Sequence, residues 1–211
     1  MSVYRGAVCK LCRRERKKLF LKGEKCMTAK CSVEKRSYPP GLHGNARTRV
    51  TEYGLQLREK QRVKRSCFMS EKQFRRFFNI SDKEEGPTGA NLLINLECRL
   101  DNVVRQLGYA ESILQARQRV LHGHIKVNGK RMNIPSYIVK EADEVTVNEK
   151  SKDIEKIKES LEKSGKTEPP EWIERDSSVL KGKIKRKPSR EEITIGGGDI
   201  KENLIVELYS K

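Results

Sequence analysis

Cys9, Cys12, Cys26 and Cys31 follow one another as C-x2-C-x13-C-x4-C, two close pairs joined by a loop. Soft thiolate ligands with short spacers let each pair chelate a tetrahedral metal from one tight turn. So short a segment cannot bury enough apolar surface to order itself, and a structural metal supplies about 10–16 kcal/mol of apparent binding free energy in comparable peptides. One zinc ion held by the four cysteines is the favoured cofactor. An iron–sulfur cluster uses the same ligands, whereas a redox pair would employ only two of them. The run from 9 to 31 also holds nine Lys or Arg and two Glu. Lys10, Arg13, Arg14, Lys25 and Lys30 are expected to favour thiolate and to offset the charge of a zinc tetrathiolate.

These cations belong to a larger asymmetry. The 211 residues carry a formal charge of +17, and residues 1 to 80 hold 22 Lys and Arg against 6 Asp and Glu, a net of +16. So many like charges repel one another unless a polyanion neutralises them, and clustered cations bind phosphate through counterion release. Hydrophobic residues make up 35% of the chain and charged residues 36%, so the core is lean and much of the length must face solvent or a partner. No stretch reaches the roughly 20 apolar residues of a membrane helix, and MSVYRGAVCK lacks the apolar run of a signal peptide. A cytoplasmic chain with reduced cysteines is expected. Cys67 and Cys98, beside Phe68 and Leu100, read as small buried hydrophobes.

The elements that must carry the cations follow from periodicity. YPPGLHGNARTR, with its prolines and glycines, predicts an extended arm ending at Arg47 and Arg49. Residues 51 to 63 have helical character, with Arg58, Lys60 and Arg62 among the apolar positions, and Lys64 and Arg65 follow. Ser70 and Gln73 form a capping-box pattern opening a helix with Phe74, Phe77 and Phe78 inward and Lys72, Arg75 and Arg76 outward. Leu96, Leu100, Val103, Val104 and Leu107 recur at helical spacing up to the stop at Gly108, with Arg99, Asn102, Arg105 and Gln106 on the opposite face. A helix from Glu111 to Leu121 places Ile113, Leu114, Val120 and Leu121 on one side and Gln115, Gln118, Arg119 and His122 on the other. Arg117 projects to the apolar side, and Asp101 is its expected acid.

After His122-Gly123-His124 the period changes to two short alternating runs around Asn128-Gly129, the pattern of a type I′ hairpin that presents Lys126, Asn128, Lys130 and Arg131. Strands are predicted at 136–139 and 144–147 and a charged helix at 151–163. Beyond it lie TEPPEW, the basic stretch KGKIKRKPSR and the glycine turn at 196–198. LIVELYS closes the chain as a buried strand or as a segment packed on the first domain.

The succession RLDNVVRQLGYA and ARQRVLHGHIKVNGK closely resembles the small RNA-binding module named after small-subunit ribosomal protein four. The order of an amphipathic helix ending in Gly, a helix with Ala-Arg-Gln, then His-Gly-His and Val-Asn-Gly-Lys makes the match specific. Pseudouridine synthases and some aminoacyl-tRNA synthetases share that module. The flanks decide: YGLQLREKQRVKRSCFMSEKQFRRFF, IPSYIV and LIVELYSK resemble the bacterial ribosomal family, and the four-cysteine amino terminus resembles its zinc-bearing subgroup.

The resemblance implies an α+β fold in three parts: a zinc-binding segment and arm over 1–45, a helical domain over 46–91 completed by 193–211, and an inserted RNA-binding module of helices on a small antiparallel sheet over 92–192. It implies a non-enzymatic component of the small ribosomal subunit that binds ribosomal RNA at a 5′-domain helix junction early in assembly. It also implies contact with ribosomal protein five, a place beside mRNA entering the subunit, and a part in decoding accuracy. The RNA contacts are then expected at Arg13, Arg14, Arg16, Lys17 and Lys22, at Arg47 and Arg49 of the arm, at Arg58, Lys60, Arg62, Lys64, Arg65, Lys72, Arg75, Arg76, Arg99, Arg105, Gln115, Gln118 and Arg119 of the helices, and at His122, His124, Lys126, Asn128, Lys130 and Arg131. Neither membrane nor DNA is expected as a partner. The rival readings are weaker. An RNA-modifying enzyme leaves too little chain for a catalytic domain once the module consumes Asp101, and a zinc-dependent DNA-binding regulator would need a base-reading motif that is missing.

Overall fold

The structure is a computed structural model that describes residues 4, 6–46, 49–148, 151, 154–164, 168–176 and 178–210. The chain divides into two compact units, Met1–Leu93 with Ile193–Lys211, and Ile94–Glu192. Among the described residues nine helices and one five-stranded antiparallel sheet give an α+β fold.

The first unit is helical. Helices α1 (Cys9–Glu15) and α2 (Ser32–Lys35) flank a 3-10 turn at Gly23–Cys26. Helix α3 (Glu52–Ser66) starts at Thr51, whose hydroxyl accepts from the Gly54 N–H at 3.1 Å, and α4 (Glu71–Ser81) starts at Ser70, which accepts from Gln73 at 3.3 Å. Both caps satisfy N–H groups that the first helical turn leaves without intrahelical partners. Phe74 and Phe77 are buried, as their spacing predicts.

The carboxyl-terminal apolar run, which the sequence leaves open between a strand and a docked segment, is helix α9 (Glu202–Ser210). The first unit has no strand among its described residues, so only a helix satisfies the backbone of this segment internally. It docks through Gln56, which donates to Glu207 at 2.9 Å, and through the Tyr209 ring, stacked on Phe74 and tilted against Phe78. Tyr209 also donates to Glu71 at 2.8 Å. Burial alone would raise the Glu71 pKa, but hydrogen bonds from Lys60, Lys64 and Tyr209 outweigh it and bring the carboxyl down to about 2.

The second unit begins within α5 (Thr88–Glu97) and continues through α6 (Leu100–Gln106), α7 (Ile113–Leu121) and α8 (Ile154–Ser164). Its sheet has the order β2 (Lys130–Arg131), β1 (Ile125–Val127), β3 (Glu144–Val147), β5 (Lys181–Ile184), β4 (Ile173–Asp176). Asn128 and Gly129, both at positive φ, close the β1–β2 turn as the Asn-Gly pair predicts. Ile125, Val127, Val145, Val147 and Ile184 meet Leu100, Val103, Val104, Leu107 and Val120 in one core. Gly182 is required there: a Cβ on it would lie 2.4 Å from Leu107 Cδ2.

Three features depart from the sequence reading. The expected helix through Leu96 and Leu107 breaks at Cys98–Arg99, because Leu100 N–H donates to Tyr137 and Val139 N–H to Cys98, drawing the chain into extended pairing. The expected strand at 136–139 is accordingly a single bridge, Arg99 to Ile138. Strands β4 and β5 are additional, and β5 lies inside the basic stretch because Gly182 and Ile184 face inward while Lys183 faces out. Leu121, assigned to the apolar face of α7, is 52% exposed. Among the described residues no helix is long and apolar enough to cross a membrane.

Candidate nucleic-acid interface

All six cysteines are free. Cys67 and Cys98 are buried in their units, and Cys12, Cys26 and Cys31 are buried while Cys9 is half-buried. Burial pushes the Cys12 thiol up to about 11 against a hydrogen bond from the Leu19 backbone, and the charges of Cys26, Cys9 and Cys31 push the same way. Burial likewise raises Cys26, whose sulfur accepts from Lys22 N–H at 3.4 Å. Lys18 lowers Cys26 in the expected sense but burial outweighs it, and no cation is among the influences on Cys12. Lys10, Lys25 and Lys30 are exposed, where solvent screens them, while the sulfurs are withdrawn from water. The Cys12 and Cys26 sulfurs each accept a backbone N–H, from Leu19 and Lys22. Among the described residues, however, no group of three or more His, Cys, Asp or Glu side chains is arranged as a metal-binding set.

Many of the cations named from sequence are committed internally. Arg13 donates to the carbonyls of Tyr38 at 3.1 Å and Pro39 at 3.4 Å and lies over the Tyr38 ring, so it ties the arm to α1. Lys17 pairs with Asp199 at 2.8 Å. Arg58 and Arg65 both donate to Glu15. Lys60 and Lys64 hold Glu71 at 2.6 and 2.7 Å. Arg62 is buried and donates to the carbonyls of Gly196 and Asp199, which the glycine turn, at positive φ from 196 to 198, exposes to it. Arg62 is thus a structural residue and is not presented to RNA. Arg47 lies outside the described residues. Arg14, Arg16, Lys22, Arg49, Lys72, Arg75 and Arg76 are exposed, and their side chains carry no hydrogen-bonded partner among the described residues.

In the second unit two more cations leave the expected surface. Arg99 is fully buried and donates through Nε and Nη2 to Asp101 at 3.0 and 2.6 Å. Arg119 is 3% exposed and donates to the carbonyls of Tyr109 and Lys156 and to the Ser160 hydroxyl. Neither faces a partner, and the contrast between an inward Arg117 and an outward Arg119 does not hold. Arg117 does donate to Asp101 at 3.4 Å, as its misplaced phase predicts. Arg105 is braced by Asn102, and Gln115 caps α7 by accepting from Glu111 N–H at 2.8 Å. Asn128 is spent on the hairpin, bonding Asp143 and Glu144, and His124 shares a 2.8 Å hydrogen bond with Ser151.

A polar surface remains at the end of α7 and across the hairpin. Gln118, His122, Lys130 and Arg131 are exposed and Lys126 half-exposed, while Arg131 donates to the His122 carbonyl at 3.0 Å. The register sets Arg131, Lys126, Thr146 and Lys181 in one cross-strand row. The alternate residues of β1, β3 and β5 are buried, so this row lies on the face turned away from the core. Lys181 and Lys183 extend that face and are absent from the sequence-derived set. The alternation Lys-Gly-Lys-Ile is the signal that could have found them, obscured by the surrounding charge.

Sequence comparison places this geometry among known proteins. A profile described as Ribosomal protein S4/S9 N-terminal domain matches residues 3–97, and one described as S4 domain matches residues 98–145. The chain is 54% identical to small ribosomal subunit protein uS4 of Caldicellulosiruptor saccharolyticus and 50% identical to that of Halothermothrix orenii. It is 52% identical to protein uS4A of Alkaliphilus oremlandii. Each match covers 211 residues and the whole of both chains.

Proposed function

The chain belongs to the ribosomal protein S4 family, structural RNA-binding components of the small ribosomal subunit, and from that premise we propose a finer role. The protein binds a multi-helix junction in the 5′ domain of small-subunit ribosomal RNA and helps nucleate assembly there. Ribosome-bound, it lies beside ribosomal protein five and the incoming mRNA and contributes to decoding accuracy; these last points rest on the family resemblance.

One observation carries the RNA reading. Seven cations of the first unit, and separately Gln118 and Lys130 of the second, are exposed with side chains that no internal group occupies. RNA helices hide their base edges in a deep groove, so a junction is recognised through phosphates, 2′-hydroxyls and shape. Dispersed Arg and Lys with a few amides suit that task better than one recognition helix. Competition binding tests it: junction RNA should displace the labelled transcript at far lower concentration than duplex DNA of equal charge. Equal competition would favour a DNA-binding or merely polyelectrolyte role.

Cys9, Cys12, Cys26 and Cys31 would hold one zinc ion, which when bound supplies a staple for the segment. The C-x2-C-x13-C-x4-C spacing and the N–H donors at the Cys12 and Cys26 sulfurs support this donor set. Protein purified without oxygen should contain one zinc per chain and no visible absorption. Iron with charge-transfer bands would replace zinc by a cluster, and a metal-free, fully folded segment would remove the site.

A further inference from the structure

Glu15 is one of only two acids in the cationic run from Cys9 to Cys31, and its side chain is 1% exposed. It is the last residue of α1 and accepts from Arg58 at 3.2 Å and from Arg65, both on α3. Seven residues is about two helical turns, so these guanidiniums rise from one face of α3. Each guanidinium has five N–H donors, and Glu15 engages one Nη1 of each. No other hydrogen-bond partner of either is found among the described residues, and their side chains remain 33% and 23% exposed. Arg14, adjacent on α1 and exposed, is the third cation acting on the same carboxylate. Burial lowers the Arg58 pKa, Glu15 opposes that, and the charges of Arg14 and Arg65 add to it. Three cations and one carboxylate leave two positive charges uncompensated, and Arg58 and Arg65 keep unused N–H donors on partly exposed side chains.

We propose that Arg14, Arg58 and Arg65 form a phosphate-binding site and that Glu15 is its positioning residue, aiming the two α3 guanidiniums at the ligand. The proposal rests on the RNA-binding reading above and specifies one contact of it: a backbone phosphate of folded RNA. Bidentate arginine geometry matches phosphate oxygens. Inorganic phosphate shares that chemistry.

The test exploits a sign. Removing a negative charge from a polyanion-binding protein should tighten binding if charge alone matters, whereas loss of positioning weakens it. In the full-length chain, Glu15→Gln should weaken binding to a 5′-domain transcript about tenfold at fixed salt, while Glu85→Gln, on an exposed loop, leaves it unchanged or tighter. Since Glu15→Gln could also disturb folding, the double variant Arg58→Lys/Arg65→Lys is measured beside it. That variant keeps net charge and a cation for Glu15, and it should lose affinity to a similar degree with its unfolding temperature near wild type. In a second arm, inorganic phosphate at constant ionic strength should raise the wild-type unfolding temperature above that in chloride, and should not do so for either variant. A folded Glu15→Gln that binds RNA as tightly as wild type, or a lysine double variant with full affinity, overturns the site. If wild type ignores the transcript, the RNA reading fails instead, and the phosphate arm alone decides whether the site exists.

Discussion

Asp101→Ala is expected to destabilise the second unit by about 3–5 kcal/mol, the usual cost of removing one member of a buried ion pair. Asp101 is fully buried and accepts from both Arg99 and Arg117, so truncation removes the one acid these two guanidiniums share next to the break between α5 and α6. Burial already lowers the Arg117 pKa, Asp101 opposes this, and Arg99 reinforces it, so without the acid both remaining influences disfavour the charged side chain. Domains have only about 5–15 kcal/mol of stability, so the expected cost is a large share of the total. Urea midpoints measure it. The double variant Asp101→Ala/Arg117→Ala should recover part of the stability, because one stranded charge is gone. A cost below about 1 kcal/mol would mean that water reaches the pair and that it behaves as a surface contact.

Arg99 shows where sequence stops being informative. Arg117 betrays itself by projecting among apolar neighbours, so its inward course and its acid are legible. Arg62, Arg99 and Arg119 sit on faces that also carry outward cations, and nothing local separates a guanidinium that binds a distant carbonyl from one that meets solvent. The acceptors of Arg62 and Arg119, Gly196 and Tyr109, are supplied by tertiary folding, whereas Arg99 turns onto Asp101, two residues on, only because the chain breaks there. The helix break at Arg99 is equally hidden, since its cause is the partner segment at 137–139. Local chemistry is legible where it is self-contained: Ser70 capping α4, Asn128-Gly129 closing the hairpin, and Phe74, Phe77, Cys67 and Cys98 buried. The carboxyl-terminal run is ambiguous because a short apolar stretch suits strand or helix until its neighbours decide.

The candidate interface shows the same division. That the first 80 residues face a polyanion follows from charge alone, but which cations do so depends on which acids reach them. Glu71 and Asp199 occupy Lys60, Lys64 and Lys17, whereas Glu15 takes only one N–H each from Arg58 and Arg65.

Exposed cations that remain should therefore dominate the electrostatics of binding. The most direct test is the slope of log K against log salt for a 5′-domain transcript, measured on the full chain and on Arg14→Gln/Arg16→Gln/Lys22→Gln. Each phosphate that a cation no longer neutralises flattens the slope by about 0.7–0.9. The triple variant should therefore show a slope shallower by roughly 2 to 3, and at low salt an affinity weaker by more than about tenfold. A slope equal to wild type, with the variant folded, would contradict the claim that this cysteine-bearing segment grips RNA phosphate.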